Sequence, residues 1–404
     1  MNKVFYRTLE GIEESPQNFT VKSIKKIKEE LYMLLEGSFF KKNNLNSKKI
    51  LLKPNLVRPF IDKLPAVCTD PRLIIALSEL LIDCGARIKL GDNPGFGLSC
   101  RQAYSDSRTE PYLKKTGVEF CFFDEEEFIQ KKPDNPLIFK EIYIAKEALE
   151  NDIIINIPKM KTHILTMVSL GIKNLLGLIP DRQRLLFHRT DINAKITDIL
   201  QVVKPSLTIV DGILAMEGQS PLHGIIRDDL PMILSGEDVV AVDAITSYLM
   251  GFEPYELTFL CLASRLGLGE NDISRITIIG ESIEERRRFF KRAVLSSSGR
   301  FQKINVVEMG ACQGCLSALR HALDRLEFEN HLQNIPMQTV YTGIPMPGHY
   351  PGISGDNVWC FGNCSHSLVF NHDSTEPIKA KFIPGCAPHI FDFYRAIKES
   401  FPVS

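Results

Sequence analysis

Between residues 49 and 280, short apolar runs rich in β-branched side chains recur, each closed by a turn and followed by a stretch with helical spacing. KILLKP (49–54), ARIKLGD (86–92), DIIINIPK (152–159), SLTIVDG (206–212), PMILSG (231–236) and RITIIG (275–280) read as strands. VFYRTL near the N-terminus reads as one more. Helical spacing appears at 20–43, 71–84, 192–203, 239–250 and 255–265, and the second of these opens on Pro71 and closes at Gly85. Strands alternating with helices predict an α/β fold: a mostly parallel sheet with helices on both faces. In such sheets the loops after the strand C-termini carry the site.

A chain of 404 residues exceeds one ordinary core, so two or three domains are expected. The charged and serine-rich stretch 281–300 reads as a junction. It separates an α/β domain over 1–285 from a smaller α/β unit over 300–404. Apolar and charged fractions of 44% and 24% are those of a globular protein. A net charge of −1 gives nucleic acid and anionic lipid no bulk attraction. No apolar run reaches the ~18 residues of a membrane span, and the first residues lack a signal-peptide core, so a cytoplasmic location is expected. No G-x-G-x-x-G or P-loop follows any strand, which leaves dinucleotide and P-loop nucleotide sites unsupported.

Of ten cysteines, Cys312, Cys315, Cys364 and Cys386 fall in the frame C-x-G-C … G-x-C … P-G-C-x-P. Each piece couples a thiol to glycine or proline, which bends or stiffens the turn that holds it. Cys312 and Cys315 fall between a strand and a helix start, where the helix dipole favours thiolate. Four thiolates suit a 4Fe–4S cluster, and they also suit a tetrahedral zinc ion. Among the rest, Cys84, Cys121 and Cys261 read as buried, while Cys68 and Cys100 adjoin turns.

A second constellation lies in 156–188, where Lys159, Lys161, His163, Lys173, Asn174, Arg182, Arg184 and His188 interrupt apolar sequence. Lys53 and Asn55 follow another strand with the same logic. A buried ammonium needs a partner, and a bound small anion supplies one. Asp92 and Asp211, each just after a strand, are placed to orient a lysine or a histidine.

Two resemblances rest on these motifs. KPNL (53–56), TDP (69–71), CGA (84–86), GD (91–92), IPKMKTH (157–163), GIKNLLGLIP (171–180) and VDGI (210–213) are similar to the family catalogued as domain of unknown function 362, over about residues 48–280. Many of its members are fused to ferredoxin-type cluster domains, which implies a redox context. ACQGCL, FGNCS and IPGCAPH, over 303–397, resemble the proximal-cluster domain of the nickel–iron hydrogenase small subunit and the related subunit of respiratory complex I. That resemblance implies a flavodoxin-like half-domain with one 4Fe–4S cluster on Cys312, Cys315, Cys364 and Cys386. Cys360 departs from the pattern as a fifth thiol four residues before Cys364, either a replacement for Cys364 as ligand, a redox-active bystander or a structural thiol. The α/β domain also resembles, more distantly, the N-terminal domain of nickel-pincer lactate racemase, which implies an acid–base role for His163 but no pincer cofactor here.

The expectation is an iron–sulfur reductase. His163 and Lys161 are its catalytic candidates, and Lys53, Asn55, Lys159, Lys173 and Asn174 bind a small anionic substrate. One alternative is an electron carrier or maturation factor that docks on a redox partner protein. Another is an isomerase-like enzyme whose cluster is structural.

Overall fold

The computed structural model describes residues 2–9, 19–40, 42–57, 66–95, 98–107, 109–185, 191–221, 223–344, 354–370 and 378–402. The chain divides into two compact units, and the change falls between Ala293 and Val294.

The first unit contains β1 (Lys3–Thr8), β2 (Lys49–Lys53), β3 (Arg87–Gly91), β4 (Glu119–Cys121), β5 (Phe128–Lys131) and β6 (Ile142–Ala145). It continues with β7 (Ile153–Asn156), β8 (Lys159–His163), β9 (Met167–Ser169), β10 (Leu207–Gln219), β11 (His223–Arg227), β12 (Met232–Gly236) and β13 (Thr277–Ile279). The main sheet runs β13-β1-β12-β10-β7-β2-β3-β4, while β5 and β6 pair separately. From β10 to β4 every pairing is parallel, as expected. At the other end β12 lies antiparallel to both β10 and β1.

The order fixes where a site can form. From central β2 the chain steps to β3 and β4 on one side, then returns to β7 and β10 on the other. The strand order therefore reverses between β2 and β7, and the crevice beyond their carboxyl ends is the usual ligand position. Right-handed crossovers leaving in opposite directions put helices Pro71–Asp83 and Ile192–Val202 on opposite faces. Both strands at the switch are buried, in register Leu52↔Ile155 and Lys53↔Asn156.

Local sequence explains the helix that follows β2. Asp70 caps Pro71–Asp83 by accepting the Arg72 N–H at 2.9 Å, and its carboxylate also holds the Arg72 guanidinium. Pro71 occupies the first turn, where its missing N–H is not needed. Cys84, expected in the core, caps the other end and is exposed.

One segment differs from the expectation in a way that matters. Lys159–His163 is not a loop after a strand but a strand, β8, paired with β10 and with β9. Period-two geometry therefore sets Lys159, Lys161 and His163 on a common face. Strand β10 makes this possible, since its 13 residues run from its β7 pairing out to the β8 and β11 ribbon.

The second unit contains β14 (Ile304–Met309), β15 (Gln338–Gly343), β16 (Val358–Phe361) and β17 (Lys381–Ile383), all parallel and in chain order. Helices Gln313–Phe328 and Ile390–Ser400 accompany them. A flavodoxin-like sheet reverses its strand order beside the first strand. Among the described residues this one does not: its four strands form a small parallel α/β sheet in chain order. Alternate side chains form two apolar faces: Val306, Val340, Trp359 and Phe361 pack with Leu319, Leu323 and Phe393. Tyr341, Val358 and Cys360 pack with Leu368.

Candidate functional site

At the switch point of the first unit, four lysines meet different fates. Lys53 is fully buried and its Nζ lies 2.5 Å from Asp92 Oδ1, while the Leu56 N–H donates to the other carboxylate oxygen. Burial pushes Lys53 down and Asp92 up, and each opposes the shift of the other. Lys159 is paired in the same way, with Asp211 Oδ2 at 2.9 Å, and Asp211 also accepts the N–H groups of Asp70 and Ile213. The ammonium groups expected to attract an anion at positions 53 and 159 are thus already answered by the two aspartates noted after neighbouring strands.

Lys161 makes no ion pair with a carboxylate among the described residues. Its Nζ donates to Asn55 Oδ1 at 2.7 Å and to the Val67 carbonyl at 2.6 Å. Burial pushes it down to about 8, and Lys159 adds to this against Cys68, Asp92 and Asp211. From Lys161 a chain of amides runs inward. Asn55 Nδ2 donates to Asn174 Oδ1 at 2.9 Å, Asn174 Nδ2 to Asn156 Oδ1 at 2.8 Å, and Asn156 Nδ2 to the Gly171 carbonyl at 2.9 Å. An ammonium only donates and a carbonyl only accepts, so the two ends dictate the orientation of all three amides.

Lys173 is the exception. It is half-buried on the helical turn Gly171–Asn174 and has no hydrogen-bond or ion-pair partner among the described residues. Burial pushes it down to about 7, with Lys161, Arg184 and Lys53 adding to the effect. Arg184 holds the Asn93 and Pro94 carbonyls through Nη1 and Asp181 through Nη2, but its buried Nε has no acceptor. Arg182 plays no such part, because its guanidinium stacks over the Tyr143 ring. Among the described residues this end of the sheet therefore presents one amine without a partner and one N–H without an acceptor, amid neighbouring cations.

The turn that carries Lys173 is held from behind. Asp243 Oδ1 and Oδ2 accept the Gly171 and Ile172 N–H groups at 2.7 and 2.8 Å. Burial pushes Asp243 up to about 7 against these two donors. Just beyond, Gly177 packs so closely on the Lys53–Asp92 pair that a Cβ there would overlap Asp92 Oδ1. His163 closes a turn by accepting the Leu165 N–H at Nδ1, so a neutral ring carries its proton on Nε2. His188 lies outside the described residues.

Sequence reasoning missed Asn156, Asp243 and Cys68. A polar residue ending the apolar run DIII and an aspartate inside the apolar helix VVAVDAITSYL were the available signals for the first two. Nothing in the residues around Cys68 marked it as a neighbour of Lys161.

In the second unit the cysteine-bearing turns leave the same end of the sheet, after β14, β16 and β17. Cys312 is the N-cap of Gln313–Phe328, and Cys315 sits in its first turn. The Cys315 thiol is buried, whereas Cys312, Cys364 and Cys386 are exposed. Burial pushes Cys315 up to about 12, and the nearby Cys312, Cys364 and Cys386 thiols add to the shift. Two of the turns are tied together: the Asn363 N–H donates to the Gly385 carbonyl, and Asn363 Oδ1 accepts the Gly385 N–H. Gly362, with φ of 91°, brings the second turn against the first, and a Cβ there would lie 2.8 Å from Cys315 Sγ. Among the described residues no three His, Cys, Asp or Glu side chains are gathered tightly enough to hold one metal ion. Cys360 belongs to the opposite apolar face, and burial alone pushes its thiol up to about 12.

Residues 50–248 match the family described as "Domain of unknown function (DUF362)". The thylakoid-associated protein sll1697 of Synechocystis sp. is 28% identical over 241 residues, which cover 57% of this chain and 71% of that protein. The lactate racemase apoprotein of Thermoanaerobacterium thermosaccharolyticum aligns with 55% of this chain at 11% identity and a TM-score of 0.32, too low to show a shared fold. The alignment spans 53% of the racemase chain. No helix among the described residues is long and apolar enough to cross a membrane.

Proposed function

We propose that the protein is an iron–sulfur reductase acting on a small anionic substrate. Its α/β unit binds the oxyanion, and its C-terminal unit carries a 4Fe–4S cluster on Cys312, Cys315, Cys364 and Cys386, as in the hydrogenase small subunit it resembles. The observation that carries the redox part is that the turns bearing the four cysteines leave one end of the sheet, with Gly362 packed against Cys315 Sγ and Asn363 tied to Gly385. One zinc ion asks for every sulfur at about 2.3 Å from a single centre. Four cysteine thiolates are the ordinary ligand set of a 4Fe–4S cluster, and the choice of a cluster over zinc follows the hydrogenase resemblance. When bound, such a cluster passes single electrons.

The chain's own residues have definable tasks. Cys312 caps the helix Gln313–Phe328 and Cys315 lies in its first turn, so one helix start would offer both sulfurs to the cluster. Gly362 leaves the space in which the Cys315 sulfur lies. In the α/β unit, Lys173 and Arg184 Nε receive the anion, and Lys161 and the amide chain fix the pocket floor. His163 shares the β8 face with Lys161, and its Nε2–H supports a role as proton donor.

Exposure of Cys312, Cys364 and Cys386 favours a second reading, in which electrons pass to a redox partner protein instead of a bound substrate. Anaerobic purification with iron analysis and electron paramagnetic resonance separates the two. A reductase is expected to bring about four irons per chain and a reduced-cluster signal that phosphate or a carboxylate perturbs. A signal insensitive to anions favours the carrier, and an iron-free, zinc-loaded protein overturns both.

A further inference from the structure

We infer that Lys173 is a nucleophilic amine that forms an imine with the carbonyl carbon of a small oxo acid, the substrate class of the strand-end pocket. This rests on the anion site proposed above.

The contrast among buried lysines carries the inference. Lys53 has Asp92, Lys159 has Asp211, and Lys161 has Asn55 and the Val67 carbonyl. A lysine kept only as a structural cation takes such a partner, because an unanswered ammonium away from water is costly. Lys173, half-buried where the other three are fully buried, takes none among the described residues, and its backbone is clamped on both sides. Asp243 holds the N–H groups of Gly171 and Ile172, and the Asn174 side chain is locked between Asn55 and Asn156. The fixed turn anchors the base of a side chain whose amine is left without a hydrogen-bond partner among the described residues.

Its surroundings favour the reactive form. Burial first, then Lys161 from β8, Arg184 from the helix Asp181–Leu185 and Lys53 from β2, push Lys173 down to about 7, which favours the neutral amine. Positive neighbours and desolvation are the two devices that make a lysine nucleophilic. Lys195 is also pushed down, to about 8, but it lies over the Phe139 ring on another helix and serves as an internal control.

The step balances without a co-reactant. As the neutral Lys173 nitrogen attacks the carbonyl carbon, a C–N bond forms and the C=O π electrons move to oxygen. The two N–H protons pass to that oxygen, the C–O bond breaks, and water leaves a C=N bond behind. The Arg184 Nε–H, which lacks an acceptor, meets the substrate carboxylate, whose charge offsets the cations around the nitrogen.

The full-length protein is incubated with pyruvate and sodium cyanoborohydride, digested, and mapped by mass spectrometry. One reduced adduct is expected on the peptide containing Lys173, with Lys161 and Lys195 unmodified. Lys173→Arg is expected to lower labelling at least tenfold, and added phosphate is expected to protect the wild-type protein even if that variant misfolds. No adduct, or labelling spread over exposed lysines, overturns the imine. Phosphate binding by calorimetry reads the anion site separately. Phosphate binding without an adduct leaves the anion site standing and removes the imine, and an adduct without phosphate binding or protection does the reverse.

Discussion

Lys161 Nζ donates to Asn55 Oδ1 at 2.7 Å, and that one contact sets the direction of every hydrogen bond from Asn55 through Asn174 to Asn156. Replacing Asn55 by Leu removes an acceptor from a buried ammonium and a donor from Asn174 in one step. The expected loss is about 1–3 kcal/mol of stability, the cost of stranding buried polar groups. It is read as a lower urea midpoint at unchanged m.

Asp92→Ala leaves Lys53 buried and uncompensated. Breaking a buried pair from one side costs about 3–5 kcal/mol, whereas removing both charges is far milder. The double variant Lys53→Met/Asp92→Leu is therefore expected to melt well above Asp92→Ala. A double variant no more stable than the single one overturns the reading of Lys53–Asp92 as a structural pair.

Lys173 gives a pH signature with a definite sign. Its folded value, about 7, lies below the ordinary lysine value of 10.5. Between these the unfolded chain holds a proton that the folded protein has lost, so stability rises with pH through this window. Below about 7 both forms are protonated, and the cost of the buried charge is felt in full. Lys173→Met is expected to flatten the slope of melting temperature between pH 7 and 10. The linked prediction is proton uptake on anion binding near pH 8, seen as a phosphate-binding enthalpy that varies with the buffer.

Gly362→Ala tests the thiol site without touching a cysteine. The new Cβ would lie 2.8 Å from Cys315 Sγ, at a φ of 91° that disfavours any side chain. Iron retained after anaerobic reconstitution is expected to fall severalfold, as in Cys315→Ser, while Cys360→Ser keeps the wild-type content. Equal iron in Gly362→Ala and wild type removes that turn from the site.

Much of the α/β scaffold was legible because its signals are local. Buried strands such as KILLK and IIIN announce themselves by composition, and the helix after β2 by Asp70, Pro71 and Gly85. Asp92 and Asp211 could be flagged as partners for lysines because strand ends converge in such sheets. The β8 strand was not legible, since KMKTH has no apolar alternation and owes its conformation to the unusual length of β10. The roles of Lys53 and Lys173 could not be told apart either. Both sit after apolar runs, and only the three-dimensional position of a carboxylate distinguishes a satisfied ammonium from an unsatisfied one. Arg182 and Arg184 diverge for a similar reason: two residues apart on one short helix, one meets an aromatic ring and the other the backbone of the loop after β3.

Reactive groups usually ride on loops that open readily, but β8 is knitted to β10, which is itself knitted into the middle of the sheet. Local fraying therefore offers no easy route by which Lys161 and His163 could swing aside. Their amide hydrogens are expected to exchange with deuterium on the slow timescale of Val210, which makes β8 the immobile side of the proposed anion site.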